Sequence, residues 1–167
     1  MVDHVQVRPA VQHALWTLPI NCTNGAAAFL PMFEGMCVML TENLAMSKSL
    51  VNGMIGTIMG IWYVSNSDGQ WYPTAVMVNM PGCDHVQVGL PLNTICIQPT
   101  AKTWVYQTTG RTNLKKATHS ISQKFLPLLP AYTYTDYKSQ GWTLHRAIVD
   151  LCGCSTPQSA YVMLSQV

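Results

Sequence analysis

Charge is scarce in this sequence of 167 residues. Only 10% of it is Asp, Glu, Lys or Arg, against 49% hydrophobic residues. That balance excludes a disordered chain, which needs the reverse. A surface so short of charge suggests that part of it is normally covered. The net charge of +2 favours no particular class of partner. No Cys-x-x-Cys pair occurs among Cys22, Cys37, Cys83, Cys96, Cys152 and Cys154, and no His follows at finger spacing. Cys152-Gly153-Cys154 is the only close pair, and without a second pair it argues weakly for metal. Cys37 and Cys96 lie in apolar runs and read as small core residues. There is no run of eighteen apolar residues and no legible secretory signal, so a reducing, intracellular compartment is expected.

What is present suffices for one ordinary domain or two very small ones. Val11, Ala14, Leu15 and Leu18 are spaced as one helical face, and Asn24-Gly25 marks a turn. His4 and His13 have no obvious partners, and a surface position explains either more simply than a ligand role. From Leu30 to Gln98 the pattern is β. Met36–Leu40, Met54–Val64, Trp71–Met80 and Leu92–Gln98 read as strands. Turn signals separate them at Asn52-Gly53, Asn66–Gly69 and Pro81-Gly82. Gly56 and Gly60 inside a strand mark a bend or bulge. Short strands at this spacing predict a small closed or half-closed antiparallel barrel. Most of the ten methionines fall here. Core filling explains them, with an exposed sticky surface as the sharper alternative.

Ala101–Lys124 differs from its neighbours. It carries Lys102, Arg111, Lys115, Lys116 and Lys124, no carboxylate, and interleaved Trp104, Tyr106 and His119. Cations for phosphates and rings for bases make a single-strand-binding surface. A solvated loop with ordinary charges fits the same composition. After it, Ala131–Thr135 is aromatic and β-branched, as a strand is. Asp136–Thr143 is polar and carries Gly141, as a tight loop does. Ala147–Leu151 reads as another buried strand. Thr156 and Pro157 then open a helix, the first as cap and the second in the first turn.

Two stretches of this terminal block carry a resemblance. Tyr137-Lys138-Ser139-Gln140-Gly141-Trp142-Thr143 is similar to the HKSQGxT motif of Pif1-type DNA helicases. Ala160-Tyr161-Val162-Met163-Leu164-Ser165 resembles the AYVALSR motif that follows it there. Gly35–Leu40, Leu50–Gly53 and Gly56–Ile58 resemble the start of the family's 2B domain, an SH3-like barrel inserted in the second motor domain. The closest variants of these motifs belong to Pif1-like and Helitron-related helicases. The resemblance implies a mixed α/β fold, with an SH3-like antiparallel barrel over 30–100 and an incomplete RecA-like motor subdomain 2A over 125–167. Residues 1–29 would be a linker or motor segment, and 101–124 a basic connection. Asn43 and Asn52 match two asparagines of the pattern, and tying down a turn is the simplest role for them.

The resemblance also implies site residues. The KSQG loop lies between nucleotide and DNA in the family. This makes Gln140, Gly141 and Thr143 candidate nucleotide contacts, with Thr143 where related motors place a ribose-contacting side chain. Tyr137, Lys138, Ser139 and Trp142 become candidate DNA contacts, joined by Arg111, Lys115 and Lys116. Three positions depart from the pattern. Tyr137 replaces a His, Trp142 replaces a Gln, and Gln166 stands where the family has an arginine. That arginine stabilises phosphoryl-transfer charge and is worth roughly 10³–10⁵ in rate, and a neutral amide cannot supply this. No Gly-Lys pair occurs anywhere, so the G-x-x-x-x-G-K-[ST] phosphate loop is missing. The expectation is a piece of an ATP-dependent helicase acting on single-stranded DNA in the nucleus. ATP and Mg²⁺ would bind only with a first motor domain as partner. A non-catalytic single-strand-binding module, or a degenerate transposon remnant, is the alternative.

Overall fold

The computed structural model describes residues 9–67, 69–83, 88–108, 117–141, 143–152, 154 and 156–167. The chain divides into two units, Met1–Pro130 and Ala131–Val167.

The first unit is built on alternation. Strand β2 (Ile55–Ser65) buries Gly56, Ile58 and Gly60 and turns the residues between them outward. β3 (Trp71–Asn79) does the same with Val76 and Val78. With β1 (Cys37–Leu40) and β4 (Thr94–Ile97), these strands place Val38, Leu40, Ile58, Val76, Val78, Ile95 and Ile97 in one core with Met36, Met80 and Leu128. Each such aliphatic side chain contributes about 1.5–3 kcal/mol on burial. Met36, Met39 and Met80 are core residues, whereas Met46 and Met59 are exposed.

The strands at 36–98 stand where the sequence pattern puts them. They form an antiparallel sheet of five strands in the order β4-β3-β2-β1-β7, where β7 is Leu128–Pro130. The glycines in β2 have separate physical reasons. The register shifts between Ile58 and Gly60, the bulge expected there. At Gly56 an added Cβ would lie 2.5 Å from the Asn79 carbonyl oxygen and 2.6 Å from Met80 Sδ. The Asn52 amide donates to Asn43 Oδ1 at 2.8 Å, so these two asparagines do tie down a turn. Before the sheet, helix α1 (Pro9–Trp16) buries Leu15, and the chain turns at Asn24 and Gly25 with positive φ.

Three expectations for the later chain are corrected. In the 101–124 stretch the solvated-loop alternative does not hold for the described residues. Its described residues form a hairpin, β5 (Thr100–Thr108) with β6 (Ala117–Phe125), in continuous register. Alternate residues Lys102, Trp104 and Tyr106 share one face, with Trp104 only 5% exposed. The basic and aromatic coloration is thus partly that of an inward face. Ala131–Thr135 is not a strand: after Pro130 the chain turns, and the Tyr134 hydroxyl donates to the Ala131 carbonyl at 2.6 Å. The strand lies just before it, as β7 pairing with β1.

Ala147–Leu151 has no regular secondary structure and is not a buried strand. Ile148 is fully exposed, and no strand occurs among the described residues of Ala131–Val167. Without a neighbouring strand an apolar run has no ladder to join. The structure is accordingly mostly antiparallel sheet with few helices. None of those helices is long and apolar enough to cross a membrane.

Candidate nucleotide and nucleic-acid site

In the second unit the YKSQG stretch opens as a short helix, α2 (Asp136–Ser139), where a plain loop was expected. The Thr135 carbonyl accepts from the amides of Lys138 at 3.0 Å and Ser139 at 3.1 Å. The turn then ends at Gly141, with φ +83°. An added Cβ there would meet nothing within 4 Å. Glycine is needed for the left-handed backbone, and the space around it is open to a ligand. Tyr137, Gln140, Gly141 and Thr143 are exposed, Lys138 is half-buried and Ser139 is buried at 7%. Trp142 lies outside the described residues.

The second motif is helix α3 (Pro157–Ser165). Thr156 caps it, with its side-chain oxygen accepting from the Ser159 amide at 3.2 Å, and Pro157 occupies the first turn. This is the start that the sequence dictates. Helices α2 and α3 are in contact. The Leu144 amide donates to the Gln166 carbonyl oxygen at 2.7 Å. These contacts bring Tyr137–Thr143 beside Ala160–Gln166, so the two motifs share one place. The Gln166 side chain donates from Nε2 to Ser165 Oγ at 2.9 Å. It is an uncharged group. Backbone amides on an open loop, a lysine and hydroxyls can hold phosphate. Mg²⁺ needs oxygen donors, chiefly carboxylates. The described residues hold no cluster of three or more His, Cys, Asp or Glu side chains for a metal ion.

In the first unit Lys102 is committed locally. Its ammonium pairs with Glu42 Oε1 at 2.5 Å and stands 5.2 Å from the Phe125 ring centre. His119 and Lys124 are exposed. Arg111, Lys115 and Lys116 lie outside the described residues. The sequence reading missed a set of aromatic residues, Trp16, Phe29, Trp71 and Tyr72, that line one groove. They are scattered over the chain, and only tertiary packing unites them.

No family model matches the sequence. Over 150 residues, 90% of the chain, it is 31% identical to the rat ATP-dependent DNA helicase PIF1 and 29% identical to the human one. Over that span the chain resembles part of the PIF1 helicases. It spans 19% of the length of these relatives. Among solved structures, it is similar to Pif1 helicase from Bacteroides in complex with ADP-AlF3 and ssDNA. The TM-score is 0.51 and the identity 24%, over 82% of this chain and 27% of that one. At that identity the likeness concerns the fold, and it agrees with a Pif1-like arrangement of sheet and helices.

Proposed function

We propose that this chain is the part of a Pif1-like ATP-dependent DNA helicase that contacts single-stranded DNA and nucleotide phosphate. In this reading residues 30–100 correspond to the SH3-like 2B barrel, and residues 125–167 to part of the RecA-like domain 2A. Lys138, Ser139, Tyr137 and Trp142 face DNA, with Arg111, Lys115 and Lys116 as further cations. Gln140, Gly141 and Thr143 face the nucleotide. The observation that carries this is the meeting of the two motifs through Leu144 and Gln166, in a chain similar to PIF1 helicases over 90% of its length. ATP with Mg²⁺ is then bound jointly with a first motor domain that supplies the phosphate loop, and the chain alone does not hydrolyse it. Unwinding in the 5′–3′ direction, in nuclear DNA repair or telomere maintenance, belongs to the same proposal.

One observation favours a second reading. Gln166 removes the charge that phosphoryl transfer needs, which suits a non-catalytic single-strand-binding module. Joining this chain to a first motor domain that carries a Walker loop separates the two readings. The helicase reading expects DNA-stimulated phosphate release from the joined protein and none from the chain alone. Retained DNA binding without turnover in the joined protein, with turnover gained on Gln166→Arg, supports the binding module. Turnover by the pure chain alone overturns the proposed division of labour.

A further inference from the structure

In the first unit, the segment after helix α1 and the ends of two hairpins border a groove of about 410 Å³. That is within the range of ligand sites, roughly 300–1,000 Å³. Its walls are aromatic: Trp16, Phe29, Trp71, Tyr72 and Phe125. Phe29 is 64% exposed and Trp71 70% exposed, large areas of ring surface left in water.

These rings are braced. Trp16 meets Phe29 edge to face, with centroids 5.4 Å apart and planes at 76°. Trp71 meets Tyr63 in the same manner at 6.2 Å and 90°. The Tyr72 hydroxyl donates to Gln70 Oε1 at 2.6 Å, and the Gln70 amide donates to Asn66 Oδ1 at 2.9 Å. An edge contact occupies one face of a ring at most, so ring faces stay available while the planes are fixed. Such a wall loses little conformational freedom when a ligand arrives. The described residues lining the groove include no carboxylate, and the exposed Lys124 stands among them.

We propose that this groove is a base-stacking site for single-stranded nucleic acid, with unpaired bases lying on Trp71 and Phe29 and a backbone phosphate drawn to Lys124. The charge favours this occupant. Among the described lining residues none is anionic and one, Lys124, is a cation that attracts phosphate, and every nucleobase offers a flat face to an aromatic ring. This inference rests on the reading that the chain meets single-stranded DNA, and it adds a second place of contact, in the first unit.

Two labelled oligonucleotides test it on the full chain by fluorescence anisotropy: twelve thymidines, and an abasic strand with the same number of phosphates. Tighter binding of the thymidine strand is expected, weakened roughly tenfold by Trp71→Ala and by Phe29→Ala. The abasic strand should be indifferent to both variants, and circular dichroism should show both folded. Lys138→Ala should weaken the two strands alike. A strand carrying 5-iodouracil should photocrosslink to Trp71 or Trp16. Equal affinity for the two strands, or equal loss on both in Trp71→Ala, overturns the groove and leaves the loop's phosphate contacts standing. Binding of neither strand overturns both.

Discussion

The amide of Leu144 and the carbonyl of Gln166 are joined at 2.7 Å, across a separation that spans most of the second unit. That bond closes the end of the YKSQG loop onto the end of helix α3. Leu144→Pro deletes the donor and restricts Thr143 as well. The expected cost is about 1 kcal/mol. Faster amide hydrogen exchange over Gln158–Gln166 would register it. Unchanged exchange there would mean that the two motifs hold together without this bond.

Helix α3 depends on its cap. Thr156→Ala removes the acceptor for the Ser159 amide and should destabilise the helix by about 1 kcal/mol. Thr156→Ser should preserve it. Exchange of the Ser159 amide is the direct reading, and equal protection in both variants would contradict the role of the cap.

The sheet has its own sharp test at Gly56. An Ala there sets Cβ against the Asn79 carbonyl, Met80 Sδ and Val78 Cγ1, all within 2.8 Å. The backbone has to shift, at a cost of roughly 1–3 kcal/mol. Chemical denaturation of Gly56→Ala measures it. The same substitution at Gly141 meets open space and carries only the strain of φ +83°, about 1–2 kcal/mol.

Asp150 gives a pH signature. The Cys152 amide donates to its carboxylate at 2.9 Å and, with the Cys152 side chain, lowers its pKa from the ordinary 3.8. A depressed folded-state pKa stabilises this turn above the unfolded value, and the stabilisation is lost as pH falls through the folded value. The carboxyl carbon of Asp150 should therefore titrate below 3.8 by NMR. Asp150→Asn should remove the acid dependence of Cys152 amide exchange. A midpoint at or above the ordinary value would rule the turn out.

Much of the first unit was legible because its signals are local and agree. Gly56 and Gly60 announced a bend, Asn66–Gly69 a hairpin, and Val76 and Val78 an inward face. The start of α3 was legible for the same reason, since Thr156 and Pro157 act within one turn. Failures came where the answer depends on partners. Lys102 and Trp104 look like a binding surface in sequence, yet Glu42 and a buried face claim them. Ile148 lies in a run that reads as strand, but no neighbouring strand receives it, and it is exposed. Trp16 and Trp71 meet in one groove only through tertiary packing, which no local pattern encodes.

A salt titration of single-stranded DNA binding by the purified chain goes most directly to the heart of the matter. Labelled oligothymidine should bind at low salt and weaken steeply as salt rises, with a log–log slope of about −0.7 for each phosphate neutralised. Lys138→Ala should make that slope shallower. No binding at low salt, or a slope that Lys138→Ala leaves untouched, would contradict a phosphate-holding role for the loop that Gln166 closes.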